Sequence, residues 1–286
     1  MAVPYETYPV PGLEVFDGEA FEAKLRRFGT AGLSSVHGVF DFDLTLTAPT
    51  PEGRPLSSWS MLENHLPPEA KAYCIELFEK YYPLEKSGAM TVQDAETWWG
   101  LALKAQKDSQ VNLKQVEADF LKQDTIRVGS KDLFDFMRRF DVPSIVLSAG
   151  VKNVIDIWCR AYDISPTAVV STEFFTDEQG RMTGWDESSV VHVLNKGESA
   201  HPELLRLRTE RPNVIVVGDS IHDAEMAQGD DNVIRIRIVD ANPNDSDSPD
   251  EVRAKTAERF DAMVATGDLL PVLATLDRID AYSDAS

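Results

Sequence analysis

The sequence predicts an α/β protein with a doubly wound, mostly parallel sheet and a helical segment inserted after the first strand. Three observations predict it. Short β-branched runs end in small or acidic residues, and helical patterns separate these runs. The stretch 50–130 differs, because it is rich in Glu, Lys, Leu, Ala and Gln and has few such runs. Strands that alternate with polar turns and helices are typical of doubly wound domains.

Four apolar runs predict the strands of the sheet. A continuous apolar run is typical of a strand that is buried on both faces, as in parallel sheets. We expect helices after the second and third runs, over 153–162 and from Asp223 onward. The four predicted strands are 36–42, 144–147, 214–217 and 232–239.

The composition of 50–130 predicts a helical cap domain, so that 1–49 and 131–286 together form the core. Thr91, with Asp94 three residues later, is typical of a helix N-cap. The predicted cap helices run from Pro67 to about Tyr82, from Thr91 through Trp98 and Trp99, and over 111–123.

Two further elements lie in the second half of the chain. Runs at 170–175 and 182–185 flank a turn that contains Gly180, which predicts a β-hairpin. Leucines and a valine between Leu269 and Leu276 form a stripe at helical spacing, which predicts a helix near the end of the sequence.

The charge balance limits the classes of partner. The formal net charge is -20, whereas nucleic-acid and membrane-surface binders need a basic face. We therefore expect a small-molecule substrate, no nucleic acid and no membrane. Two cysteines in 286 residues make no disulfide framework. With no signal peptide or apolar span in the sequence, we expect a cytoplasmic protein.

Two aspartates lie at the end of the first predicted strand. Alternate residues of a strand face the same side, so Asp41 and Asp43 can present two carboxylates at the carboxyl end of the sheet, where such folds bind ligands. Paired carboxylates repel unless a cation joins them, and Mg²⁺ prefers oxygen ligands of this kind. The alternative is an acidic turn with no metal.

Three more segments carry candidate site residues. Asp219 and Asp223 follow the third predicted strand, so Asp219 can complete a metal shell and Asp223 can support it. Ser148 and Ala149 follow the second strand, where a hydroxyl and backbone N–H groups make an anion cradle or simply a helix cap. Lys196 is a candidate by its order along the chain, against the alternative of a solvated side chain.

The order DxDxT, Ser, Lys and GDSxxD resembles the haloacid-dehalogenase (HAD) superfamily over most of residues 36 to 240. The resemblance implies a Rossmann-like core, a phosphatase that uses Mg²⁺, and a covalent aspartyl-phosphate intermediate. It implies that Asp41 is the nucleophile, Asp43 the general acid/base, Thr45 a brace of the first loop, Ser148 and Lys196 phosphate binders, and Asp219 and Asp223 metal-side acids.

A narrower resemblance rests on Tyr81-Tyr82-Pro83-Leu84-Glu85, Trp98-Trp99 and His192-Val193-Leu194-Asn195-Lys196. These segments are similar to the cytosolic pyrimidine 5′-nucleotidases of the nucleotidase III class. The resemblance implies that Glu85 contacts the nucleobase, and we expect Trp98 or Trp99 to stack on that base. The alternatives are an exposed helix-end carboxylate for Glu85 and packing within the cap for the tryptophans. The insert is a few residues shorter around Glu85, which leaves the base preference open.

The expected function is Mg²⁺-dependent hydrolysis of nucleoside 5′-monophosphates, with pyrimidines favoured. Two alternatives stay open at this point. One is a phosphatase for another small phosphomonoester, such as a phosphosugar or phosphoserine. The other is a non-catalytic binding protein on the same scaffold. The sequence does not indicate the oligomeric state.

Overall fold

The computed structural model describes residues 10–49, 56–122, 125–240 and 247–283. Its strands are β1 (Leu13–Val15), β2 (Val36–Phe40), β3 (Ser144–Val151), β4 (Ala168–Thr172), β5 (Phe174–Thr176), β6 (Met182–Trp185), β7 (Asn213–Gly218), β8 (Val233–Ile238) and β9 (Ala262–Val264). Its α-helices are α1 (Gly18–Ala31), α2 (Ser58–Glu63), α3 (Pro68–Ser87), α4 (Val92–Asp108), α5 (Leu113–Phe120), α6 (Ser130–Arg139), α7 (Lys152–Ala161), α8 (Pro202–Glu210), α9 (Pro249–Ala257) and α10 (Leu270–Ser283).

Seven strands form one sheet in the order β1-β9-β8-β7-β2-β3-β4. Only β1 pairs antiparallel, with β9, and the other neighbours in this sheet are parallel. This arrangement confirms the predicted fold class. After β2 the chain builds one side of the sheet with β3 and β4, and it then returns to build the other side with β7, β8 and β9.

The reversal of strand order beside β2 places the ligand site. Phe40 at the end of β2 pairs with Val217 of β7. The residues that follow both strands therefore emerge side by side at the carboxyl edge of the sheet. Open α/β sheets bind ligands at such a reversal.

Helices cover both faces of the sheet. Alternate residues of β7 belong to two different apolar clusters, so that Ile215 packs with residues of α1 and α10, and Val216 packs with Leu204 of α8. All six residues of β7 are buried. Burial on both faces explains why this strand is a continuous apolar run. Within the described ranges, none of the helices has the length and apolar composition needed to cross a membrane.

Helices α2 to α5 lie between β2 and β3, in the segment for which the sequence predicts a cap. The Thr91–Asp94 capping box at the start of α4 is present as predicted. The predicted end of α3 near Tyr82 was too early, because the helix continues to Ser87 with Pro83 inside it. Prolines usually end helices, which is why the sequence favoured an end near Tyr82. The division into two domains stays a prediction.

Two other element predictions were wrong in detail. The predicted strand 170–175 is divided between β4, in the main sheet, and β5, which pairs antiparallel with β6 in a separate hairpin. The predicted helix from Asp223 onward is a six-residue 3-10 turn, Ile221–Met226. The Asp223 carboxylate bonds the backbone N–H of Ser220, which caps that turn.

Candidate active site

Asp41 follows β2 at the carboxyl edge of the sheet. Its backbone N–H donates to the carbonyl of Val217 at 2.9 Å, which extends the pairing of β2 with β7 by one residue. The residue is 6% exposed. The register of two buried strands therefore fixes where this carboxylate lies.

Lys196 joins Asp41 to Asp223. Its Nζ lies 2.6 Å from Asp41 Oδ1 and 2.6 Å from Asp223 Oδ1, and the lysine is 7% exposed. Asn195 braces the preceding loop by accepting from the backbone N–H of His192 and donating to the carbonyl of Val190. A lysine that a sequence alone would most simply place in solvent is thus buried between two carboxylates.

Three acids could hold a metal ion together. Carboxylate oxygens of Asp41, Asp219 and Asp223 all lie within 4.8 Å of one another. The hydroxyl of Thr45 lies 3.4 Å from Asp41 Oδ2 and 3.4 Å from Asp219 Oδ1, so it links the two strand ends. Hard oxygen donors in this number suit Mg²⁺.

Three carboxylates share one ammonium in this cluster, and the pKa values of Asp41 and Asp219 are raised. Burial raises the pKa of Asp41 to about 7, although the Lys196 ammonium opposes this shift. Burial and the neighbouring Asp41 and Asp223 raise the pKa of Asp219 well above its ordinary value. Burial alone would lower the pKa of Lys196, but Asp223 and Asp41 outweigh it and raise that pKa. A divalent cation would stabilise the ionised carboxylates, so the donor set fits a metal.

Asp43 points to a different partner. Its Oδ1 accepts from the backbone N–H of Ser58 at 2.7 Å, and its Oδ2 accepts from the Ser58 hydroxyl at 2.9 Å. Burial raises the pKa of Asp43 to about 6, and both bonds from Ser58 oppose that shift. Of the acids expected around the cation, Asp41 and Asp219 lie together with Asp223, whereas the Asp43 carboxylate lies against Ser58.

The segment Ser148-Ala149-Gly150 lies beside Asp43. It was expected as a turn, but β3 continues through it to Val151. The Ser148 hydroxyl is buried and accepts from the N–H of Gly150 at 3.0 Å. A Cβ on Gly150 would lie 2.1 Å from Ser58 Oγ and 3.0 Å from Asp43 Oδ2. Glycine at this position lets Ser58 of α2 and Asp43, which follows β2, approach the end of β3 this closely.

Two cap tryptophans bond the same carbonyl of this segment. Trp59 Nε1 donates to the oxygen of Ala149 at 3.1 Å, and Trp99 Nε1 donates to it at 2.8 Å. Trp98 instead stacks on Tyr81 within the cap, with ring centroids 5.9 Å apart. The sequence offered Trp98 and Trp99 as equivalent candidates, and the structure gives them different contacts.

Glu85 lies on α3, close enough to the core acids to respond to their charges. Burial raises its pKa to about 7, while Lys196 lowers it and Asp223 raises it further. Glu85 is half-buried rather than fully exposed near the end of α3. Its contact with a nucleobase stays a prediction.

Sequence reasoning missed Arg127, which holds the loop after Asp43. This arginine is 1% exposed, and its guanidinium donates to the carbonyls of Leu44, Thr45 and Thr47. Two further bonds, at 2.9 and 2.6 Å, join it to the Asp240 carboxylate. No motif marks an isolated arginine 80 residues along the chain from the loop that it supports.

A second missed arginine holds the other acidic loop. Arg237 of β8 donates from Nε to the carbonyl of Asp219 at 2.8 Å and from its guanidinium to Thr256. Arg237 lies near the carboxyl end of β8, and Asp240 follows that strand. Arg237 bonds the loop of Asp219 directly, whereas Asp240 holds Arg127, which bonds the loop after Asp43.

The chain resembles proteins of known family. A family model described as pyrimidine 5′-nucleotidase (UMPH-1) matches residues 44–276. A Xenopus laevis protein named 7-methylguanosine phosphate-specific 5′-nucleotidase A is 25% identical over 277 residues, which cover 90% of this chain and 91% of that protein.

Solved structures share the fold. The crystal structure of cytosolic 5′-nucleotidase IIIB bound to cytidine superposes with a TM-score of 0.80 at 24% identity, covering 96% of both chains. A probable phosphoserine phosphatase from Vibrio cholerae gives a TM-score of 0.59 at 15% identity, covering 89% of this chain and 68% of that one.

Proposed function

The chain belongs to the pyrimidine 5′-nucleotidase (UMPH-1) family and is a phosphomonoester hydrolase, and on that premise we propose that it hydrolyses nucleoside 5′-monophosphates through a phosphorylated Asp41 with the help of Mg²⁺. The observation that carries the proposal is the position of Lys196. Its Nζ lies 2.6 Å from both Asp41 and Asp223, so a nucleophile, a fixed positive charge and the metal-side acids meet at one point.

Asp41 performs the first step in this proposal. Its carboxylate attacks phosphorus in line, forms a new O–P bond and displaces the nucleoside 5′-oxygen. Lys196 and the Ser148 hydroxyl bind phosphoryl oxygens, where negative charge builds up in the transition state. Because Lys196 is buried and held by two carboxylates, its ammonium is oriented before substrate arrives.

Asp41, Asp219 and Asp223 would hold the cation, with Asp43 near it on the same loop as Asp41. A divalent cation there would screen the repulsion between the Asp41 carboxylate and the phosphate dianion. The raised pKa values of Asp41 and Asp219 support this assignment, because buried acids that repel each other favour a bound cation.

Asp43 supplies the acid/base chemistry. It donates a proton to the departing 5′-oxygen and later removes one from the water that attacks the phosphorylated Asp41. A pKa raised by burial to about 6 suits a group that must give and take protons near neutral pH. Inorganic phosphate and free Asp41 are the products of the second step.

In this proposal residues of the cap determine which leaving group the enzyme accepts. Glu85 would accept hydrogen bonds from the base, and Trp98 or Trp99 would stack on it. The family model favours pyrimidines. A second candidate base is 7-methylguanine, which the names of relatives such as the Xenopus laevis protein favour. The phosphoserine alternative has support from the fold alone. The cytoplasmic location expected from the composition remains part of the proposal.

A substrate panel tests the proposal. We would measure kcat/KM with Mg²⁺ for UMP, CMP, AMP, 7-methyl-GMP, phosphoserine, a sugar phosphate and 4-nitrophenyl phosphate. We expect one nucleotide to exceed 4-nitrophenyl phosphate by about 10-fold or more, and EDTA to abolish turnover. Glu85→Gln should reduce that preference by about 10-fold while leaving 4-nitrophenyl phosphate within about 2-fold, since one hydrogen bond to a charged group contributes about 1.5 kcal/mol or more. Nucleotide rates no better than the aryl phosphate would contradict the nucleotidase assignment.

A further inference from the structure

Ser58, the first residue of α2, holds both oxygens of Asp43. Its backbone N–H donates to Oδ1 at 2.7 Å, and its hydroxyl donates to Oδ2 at 2.9 Å. Two bonds from one residue to the two oxygens of one carboxylate fix its rotation about the Cβ–Cγ bond. Ser58 is 0% exposed, so water does not compete for these bonds.

The hydroxyl of Ser58 also joins Asp43 to the end of β3. It accepts from the backbone N–H of Val151 at 3.2 Å while it donates to Asp43. Gly150 leaves the space for this contact, since a Cβ there would lie 2.1 Å from Ser58 Oγ. The hydroxyl thus lies in a closely fitted site between the loop that carries Asp43 and the segment that carries Ser148.

We propose that Ser58 is a positioning residue, which orients the Asp43 carboxyl for proton transfer. The inference rests on the proposed acid/base role of Asp43. The backbone N–H of Ser58 can only donate to Oδ1, and its hydroxyl donates to Oδ2 while it accepts from Val151. Both bonds can persist when Asp43 carries a proton, because a protonated carboxyl oxygen keeps a lone pair, so the proton can point to the leaving oxygen.

The proton balance is the same in each turnover. As Asp41 bonds to phosphorus, the P–O bond to the leaving group breaks and the proton of the Asp43 carboxyl moves to the departing oxygen. In the second step a water oxygen bonds to phosphorus, its proton moves to the Asp43 carboxylate, and the bond between phosphorus and Asp41 breaks. Asp43 ends protonated, ready for the next substrate.

Substrates with different leaving groups distinguish a loss of Asp43 positioning from general structural damage to the site. An alkoxide such as the 5′-oxygen of a nucleoside leaves poorly without a proton, whereas 4-nitrophenolate leaves without one. Since kcat/KM covers only the steps up to phosphorylation of Asp41, the later use of Asp43 as a base does not affect it. Loss of acid positioning should therefore lower kcat/KM for a nucleotide much more than for 4-nitrophenyl phosphate.

The experiment uses Ser58→Ala and Ser58→Thr, with Ser60→Ala as the matched control on the same helix. Ser60 forms the capping box with Ser57, and its hydroxyl bonds the backbone of Ser57 rather than Asp43. With the nucleotide that the wild type hydrolyses best, we expect Ser58→Ala to lose about 10- to 50-fold, part of the 10²- to 10⁴-fold that general acid catalysis supplies. The loss on 4-nitrophenyl phosphate should stay below about 3-fold. Ser58→Thr should recover most of the nucleotide rate, and Ser60→Ala should change neither substrate by more than about 2-fold.

Three results would overturn the inference: equal losses on both substrates, no loss on the nucleotide, or a folded Ser58→Thr variant as impaired as Ser58→Ala. A double-mutant measurement tests the inference whatever the size of the loss in the Ser58→Ala single variant. In an Asp43→Asn background, Ser58→Ala should cause no further loss on the nucleotide, because residues that act through one group are not additive. A wild type inert toward all nucleotides would contradict the proposed function instead, so the two failures are distinguishable.

Discussion

The acids that follow β2 and β7 and the aromatic residues of α3 and α4 form two clusters, and different forces hold them. Asp41, Asp219 and Asp223 are bound to one another through Lys196 and Thr45, and the raised pKa values of Asp41 and Asp219 reflect charges crowded away from water. The cap cluster of Leu77, Tyr81, Met90, Ala95 and Trp99 is apolar and packs against Ala149 and Val193 of the core.

The charged cluster is suited to the chemical step, whereas the aromatic cluster is suited to selecting the substrate. The charged cluster contains groups that can attack, bind phosphate and hold a cation, and these are common to any phosphate monoester. The aromatic cluster offers surfaces and the Glu85 carboxylate, which can discriminate among leaving groups. If this division is correct, changes in the cluster of Asp41, Asp219, Asp223 and Lys196 should affect all substrates alike, and changes in the cap should depend on the leaving group or be small.

Asp41→Asn provides the largest test of the core side of this comparison. The amide is a poor nucleophile, so we expect kcat/KM to fall by about 10⁴-fold or more on nucleotides and on 4-nitrophenyl phosphate alike. The thermal midpoint should not fall, because the change removes one charge from a repulsive cluster. Acid-quench trapping of phosphorylated wild-type enzyme, absent in the variant, checks the covalent step. An active variant that is free of contaminating phosphatase would contradict it.

The link between pH and cation binding gives the second test. The pKa of Asp41 is about 7 in the fold and near 3.8 as an ordinary carboxyl. An acid with a raised folded-state pKa binds protons more tightly when folded, so stability should be lost as pH rises from about 4 through 7. In EDTA the thermal midpoint should therefore fall between pH 5.5 and 8.

Mg²⁺ should reverse this trend. Because the cation binds the ionised acids, the gain in thermal midpoint at saturating Mg²⁺ should grow with pH, to about 5 °C or more at pH 8. Asp219→Asn, which removes one acid of the cluster, is the control and should flatten both dependences. A Mg²⁺ gain that is the same at pH 5.5 and 8 would count against the metal assignment.

Trp99→Phe, paired with Trp98→Phe, gives the smallest expected effect and refines the cap side of the comparison. Both keep an aromatic ring, but only the first removes a bond to the Ala149 carbonyl. With 4-nitrophenyl phosphate, which has no nucleobase, we expect Trp99→Phe to lower kcat/KM about 5-fold and stability by about 1 kcal/mol. Trp98→Phe should stay within about 2-fold. Equal effects would show that the indole bond does not position the phosphate-binding segment.

The sequence by itself determined the doubly wound, mostly parallel sheet and the order of the charged residues along the chain. Parallel strands buried on both faces must be continuous apolar runs, so 36–42 and 214–217 stood out. Asp41 and Asp219 lie at the ends of those runs, so local sequence was enough to predict them at one edge. The helix start at Thr91 was equally local, since a capping box involves residues three apart.

Only the tertiary structure decided which side chains support the site. Ser58, Arg127 and Asp240 act on loops far from them in sequence, and their hydrogen bonds carry no local pattern. The same holds for the different roles of Trp98 and Trp99, which depend on what each indole meets across the cap boundary. Periodicity and strand ends depend on neighbouring residues, whereas a buried hydrogen bond between distant segments forms only once the chain has packed.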